Sequence, residues 1–160
     1  MLTRVKKSKV RANHSHFAIV ASKYNSEYVD AMVSAAEKTL VDAKASVRVV
    51  RVPGAFEIPA VTAHLARHKS PQFSAIICLG VILRGETTHA QHIGEAVSHA
   101  LANIQVETEV PIIHEVLLLE NRQQAEARCL DKDHNRGLEA ALTALEMAQT
   151  MAALDGKAAR

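Results

Sequence analysis

A chain of 160 residues is long enough for one domain around one sizeable core, and a formal net charge of +2 is too small to argue for nucleic acid. Hydrophobic residues make up 48% and charged residues 22%, as in ordinary globular chains, and no apolar run is long enough to cross a bilayer. Aromatics are 3% with no Trp, so the core must be aliphatic and the few aromatics are candidates for special duty.

Much of the positive charge falls in Arg4–Arg11. Residues 1–16 read as a flexible, solvated basic arm. No secretory apolar segment follows it, because Asn13-His14-Ser15-His16 intervenes, so a cytoplasmic protein is expected. Phe17–Ser22 is a short apolar run that reads as a first strand. Asn25 or Ser26 can cap a helix to about Asp42. Val47–Val52 is β-branched, alternates Val with Arg, and predicts a second strand that Pro53-Gly54 breaks. A helix then begins near Glu57, with Pro59 tolerated in its first turn. Ser74–Gly80 predicts the third strand and His89–Thr108 the third helix. Ile112–Leu119 is a nearly continuous apolar strand interrupted by His114 and Glu115. Asn121 followed by Gln124 suggests a capping-box helix start running to about Cys129. A polar turn, Asp131–Asn135, leads into a last helix, Arg136–Leu154, and residues 155–160 read as a frayed tail.

Strands alternating with helices predict a single α/β domain over residues 17–154. Its expected form is a three-layer, flavodoxin-like fold with a four-stranded parallel sheet flanked by helices. Ligands of such sheets bind beyond the carboxyl ends of the strands. The loops that matter therefore follow Ser22, Val52, Leu79 and Leu119.

The run Gly80-Val81-Ile82-Leu83-Arg84-Gly85-Glu86-Thr87-Thr88-His89 reads as a strand-to-helix turn. Backbone N–H groups at a positive dipole end would meet a proton-transfer histidine there. The glycine spacing is that of a phosphate-binding P-loop, but Glu86 holds the lysine position and would repel a triphosphate. No Gly-x-Gly-x-x-Gly exists, and the loop after the first strand, Ser22-Lys23-Tyr24-Asn25, lacks the acids of a response regulator. His89 and His92 share a helical face and His99 lies further along, but no third ligand falls at an established zinc spacing, so no metal is expected. Cys78 and Cys129 form no CxxC pair and read as buried thiols. What remains is a cofactor-free site. His89 is either its proton carrier or a capping histidine. Thr87 and Thr88 either cap the helix or donate to a phosphate, and Arg84 serves that anion or pairs with a neighbouring acid. Phe56 and Glu57 put a rare aromatic and a carboxylate at the end of the second strand.

These residues together resemble the lumazine synthase family, over roughly Phe17 to Leu154. The marks are Val52-Pro53-Gly54-Ala55-Phe56-Glu57-Ile58-Pro59, then Gly80 through His89, then Glu139-Ala140-Ala141-Leu142 and Ala144-Leu145-Glu146-Met147-Ala148. The resemblance implies condensation of 5-amino-6-(D-ribitylamino)uracil with 3,4-dihydroxy-2-butanone 4-phosphate, through an imine, loss of phosphate and ring closure, with no cofactor or metal. It implies His89 as the proton-transfer histidine. It implies Glu86, Thr87, Arg128 and Lys132 as phosphate contacts. Tyr24, Ala55, Phe56, Glu57, Val81, Ile82 and Leu83 would surround the pyrimidine, and His114 would reach in from the neighbouring subunit. It further implies a homopentamer with its site between subunits, alone, paired as a decamer or built into an icosahedral shell, with riboflavin synthase as a possible partner. Three departures stand out: Ala90-Gln91 where the family has an aromatic and an acid, His114 for Phe, and Leu130–Arg136 for a more glycine-rich turn. The Ala90-Gln91 and His114 changes motivate a competing reading, a shell-forming relative with weak or lost catalysis; a separate alternative is a flavodoxin-like module that senses flavin or phosphate.

Overall fold

The computed structural model describes residues 11–12 and 14–156. Residues 1–10 of the expected basic arm and 157–160 of the expected tail lie outside the described residues. Four strands, β1 (His16–Ser22), β2 (Ser46–Val52), β3 (Ala75–Leu83) and β4 (Ile112–Leu119), pair in parallel in the order β2-β1-β3-β4. The chain crosses from β1 to β2 on one side and returns past β1 to β3 on the other. The reversal of direction therefore lies between β1 and β3, where open α/β sheets bind ligands.

Burial explains the strand compositions. β1 and β3 are central and covered on both faces, so they are near-continuous apolar runs. β2 and β4 are edges, so β2 carries Arg48 and Arg51 and β4 carries His114 and Glu115. On one face Phe17, Ile19, Ile77 and Leu79 pack against α1 (Ser26–Asp42) and α5 (Arg136–Leu154). On the other, Ala18, Val20, Ile76 and Cys78 pack against α2 (Ile58–Ala66) and α3 (His89–Thr108). The core is aliphatic, as the composition requires, with Phe17 and Tyr28 its buried aromatic members beside Phe73.

Three local features differ from the expectation. β3 does not stop at Gly80 but continues to Leu83, because Val81, Ile82 and Leu83 pair with Leu117, Leu118 and Leu119 of β4. The turn is thereby confined to Arg84–Thr88. Asn25 precedes α1 in the left-handed conformation, φ 55°, and its amide does not cap the helix. Beyond β4, Asn121 Oδ1 accepts Gln124 N at 2.9 Å and Gln124 Oε1 accepts Glu120 N at 3.0 Å, so the box closes one residue early. Only one α-turn follows, α4 (Arg122–Ala125), and a π-turn at Glu126–Leu130 replaces the helix expected to reach Cys129. The π-turn ends where Asn135 donates to the Cys129 carbonyl and accepts the Gly137 and Leu138 amides, capping α5.

Candidate active site

At the carboxyl rim, the loop after β1 lies along the end of β2. Lys23 N donates to Val52 O at 2.8 Å and Tyr24 N to Pro53 O at 3.2 Å. This lays the Tyr24 ring over Gly54: a Cβ at that position would stand 3.2 Å from the ring and 2.9 Å from Glu57 Oε2. Glu57 is held by the Gly54 amide, which donates to Oε2 at 2.8 Å, inside the single 3-10 turn Ala55–Glu57. Ala55 is buried, whereas Phe56 and Tyr24 are 61% and 71% exposed. Two of the few aromatic rings of the chain therefore face outward at the rim, which core packing alone does not explain. Asn25 supplies the missing wall. Its Nδ2 donates to Val81 O at 2.7 Å, tying the Tyr24 loop to the end of β3 where Val81, Ile82 and Leu83 lie.

The turn after β3 is open. Arg84 N donates to Leu119 O at 2.8 Å, and its Nε pairs with Glu120 at 3.3 Å, so Arg84 takes the second of its two readings. Among the described residues the amides of Gly85, Glu86, Thr87 and Thr88 donate to nothing, and they lead into the first turn of α3. Thr88 precedes α3 without a side-chain cap bond, and Thr87 Oγ1 accepts only the long 3.4 Å approach of His89 N. Glu86, Thr87 and His89 are exposed. Gln91 donates to Glu95 at 2.8 Å, along the helix, so its amide is spent away from the imidazole.

Of the remaining candidates, His114 lies on β4 and Arg128 and Lys132 follow it in the chain. His114 Nδ1 accepts Val116 N at 3.1 Å, so its proton sits on Nε2, 2.8 Å from Ser98 Oγ, which in turn donates to Gly94 O. Partial burial of the ring holds its pKa below the ordinary histidine value, against a backbone hydrogen bond that raises it. Arg128 is half-buried in the π-turn, with Nη1 3.4 Å from Gln124 O, and Lys132 is exposed in the following turn. His89 opens α3 on one face of the sheet, and Arg128 belongs to a turn packed on α1 at the other. One chain therefore brings Tyr24, Gly54, Glu57 and Val81 together, with Arg128 on the face of the sheet opposite His89.

Glu115 went unassigned in the sequence. It is half-buried on the α5 side of β4, and burial pushes its carboxyl up to about 7, with Arg136 opposing and Glu139 adding to the rise. The signal was a carboxylate inside the apolar run Ile112–Leu119. Both thiols are buried, as expected; burial pushes Cys78 to about 12 and Cys129 to about 11, which makes them poor nucleophiles. Among the described residues no group of three or more His, Cys, Asp or Glu is placed to hold a metal, and no helix is long and apolar enough to cross a membrane. His92 and His99 are exposed.

Comparison with known proteins identifies the family. A 6,7-dimethyl-8-ribityllumazine synthase of Xylella fastidiosa is 42% identical over 141 residues, covering 86% of this chain and 90% of that protein. One from Stenotrophomonas maltophilia is 39% identical over 136 residues, 83% and 86% of the two chains. One from Xanthomonas euvesicatoria is 37% identical over 145 residues, 89% and 93% of the two. Residues 14–152, nearly the whole described domain, match the family's pattern, and the chain belongs to the 6,7-dimethyl-8-ribityllumazine synthase family.

Proposed function

We propose that this chain condenses 5-amino-6-(D-ribitylamino)uracil with 3,4-dihydroxy-2-butanone 4-phosphate to 6,7-dimethyl-8-ribityllumazine, in riboflavin biosynthesis, as a homopentamer with its sites between subunits. The observation that carries this reading is the rim where Tyr24, Glu57 and the end of β3 meet, in a chain of this family. The exposed Tyr24 ring offers a flat uracil a stacking partner. Ala55, Phe56 and Glu57 stand beside it, and Val81, Ile82 and Leu83 form the opposite wall.

The phosphate is the main handle on the small butanone substrate. The amides of the Arg84–Thr88 turn and the Thr87 hydroxyl supply donors for it. Glu86 contributes its backbone, since its carboxylate repels a dianion. Arg128 supplies a planar fork of donors and Lys132 a second cation. Arg128 and His89 sit on opposite faces of the sheet in one chain, which supports a site completed by Arg128 and Lys132 of the adjacent copy, and the family resemblance adds His114 from that copy.

Amine and ketone join as an imine with loss of water, phosphate leaves, and the second amine closes the ring with loss of another water. Every step moves protons and none consumes an oxidant. His89, exposed at the start of α3, is the group to which this reading gives those protons. The test adds both substrates to the purified protein, follows lumazine absorbance and phosphate release, and measures solution mass. Product formed by a pentamer or larger assembly is expected. No product at high enzyme concentration overturns the activity, and an active monomer overturns the shared site.

A further inference from the structure

The Tyr24 ring lies beside Gly54 and is largely exposed, so its height over the rim is set by the backbone, through its own amide on Pro53 O and through the ties on either side. On the α1 side that backbone is tied by Asn25 to Val81. On the β1 side it is tied by a residue from the edge strand. Arg51 of β2 donates from Nη2 to the carbonyl of Ser22, the last residue of β1, at 2.9 Å. It donates from Nη1 to Asp30 Oδ1 at 2.6 Å, in the second turn of α1. Its Nε is buried with no hydrogen-bond partner among the described residues, while the Nη1 end that meets Asp30 is partly exposed.

We infer that Arg51 is a positioning residue for the pyrimidine, acting through Tyr24. The three residues Lys23, Tyr24 and Asn25 span the gap between Ser22 and α1, and Arg51 clamps both banks of that gap with one rigid fork. The fork geometry matters, because two acceptors on two elements are fixed at once; a lysine reaches one of them. An exposed ion pair with Asp30 alone would be worth ~0–1 kcal/mol. The charged bond to the Ser22 carbonyl is what couples the pair to the loop. The Ser22 hydroxyl, buried against the Gly80 backbone without a partner among the described residues, offers no second anchor.

This inference rests on the reading of Tyr24 as the pyrimidine platform, and the experiment separates the two. Arg51→Met, Arg51→Lys, Asp30→Asn and Tyr24→Ala are compared in the assembled enzyme. The KM of each substrate, kcat, and binding of the lumazine product by equilibrium dialysis are measured. Tyr24→Ala is expected to raise the pyrimidine KM most. Arg51→Met is expected to raise it about tenfold, the loss of part of a base–aromatic stack, and to weaken product binding by the same factor. The KM for the butanone phosphate stays as it was. Arg51→Lys falls between wild type and Arg51→Met. If Tyr24→Ala is selective for the pyrimidine while Arg51→Met shifts both KM values alike, or lowers only kcat or thermal stability, the positioning role is overturned and the platform stands. If Tyr24→Ala leaves the pyrimidine KM unchanged, the platform reading falls and the role of Arg51 with it. Should Arg51→Met fail to fold, Arg51→Lys and Asp30→Asn decide by the same split.

Discussion

A methyl group added at Gly137, where α5 crosses α1, would stand 2.0 Å from the Met32 carbonyl oxygen; the same group added at Gly85, in the turn between β3 and α3, would meet nothing within 4 Å. Neither residue needs glycine for a left-handed backbone, since the only glycine with positive φ among those described is Gly156. Gly137 is glycine because the chain's own backbone occupies the space a side chain would take. Nothing the single chain brings explains Gly85. The α1–α5 layer is therefore constrained by its own packing, whereas the turn at Gly85 is not.

Gly137→Ala should break that contrast most severely. The clash is with main-chain atoms, Met32 O, C and Cα all within 2.6 Å, so no rotamer relieves it. The helices must separate, opening the core around Met32, Ala140 and Ala141. The expected loss is a large part of the ~5–15 kcal/mol that holds a domain. Denaturant unfolding checks it, and a variant within 1 kcal/mol of wild type, roughly the ordinary cost of a surface change, would show that the layer yields.

His89→Ala should do the reverse. The side chain is exposed and makes no side-chain contact that the fold depends on, so the melting temperature is expected to stay put. Turnover should fall by about a hundred- to ten-thousand-fold, the usual worth of a general acid–base group. An unchanged kcat removes the imidazole from the mechanism.

Glu115→Gln sharpens the contrast by pH. Burial raises this carboxyl from 4.5 to about 7, so the folded state holds its proton more tightly than the unfolded chain does. Wild-type stability from this group is full below about 4.5, declines as pH rises toward 7, and is lost above. Removing the charge should therefore leave stability at acid pH nearly unaltered and raise it at pH 8 by up to an amount on the order of 3 kcal/mol. Chemical denaturation at the two pH values measures it; a variant equally destabilised at both would mean that Arg136 compensates the buried charge in full.

The contrast also explains what could be read before the structure. α3, β4 and α5 fall where periodicity puts them, because each carries an apolar stripe that its neighbours bury. The errors sit at the carboxyl rim. Gly80 looks like a strand end, yet pairing with Val116 carries β3 onward, and pairing is a property of two segments rather than one. Asn25 looks like a cap, yet a carbonyl 56 residues away takes its amide. The π-turn has no local signature, since what closes it is the Asn135 side chain from beyond the turn. Of the candidate site, Glu57 and His89 stand out from their types and spacing, while Tyr24 enters through the resemblance. Glu115 and Arg51 do not stand out, because their chemistry comes from α5 and from Ser22 and Asp30 across the fold.

Gly85→Ala is the smallest of these changes and the one that bears most directly on the rim. In the chain alone the methyl points into open space, so the fold should tolerate it within ~0.5 kcal/mol, and fewer unfolded conformations offset part of any loss. If glycine stands there because a phosphate approaches the free amides of residues 85–88, the methyl must intrude on that approach. The KM for the butanone phosphate should then rise by about three- to tenfold, a cost of roughly 1 kcal/mol, with the pyrimidine KM unmoved. A rise in both would mean that the turn itself had shifted. No rise in either would mean that the open space beside Gly85 is filled by the adjacent subunit or by water, and that Arg128 and Lys132 carry the anion without the turn.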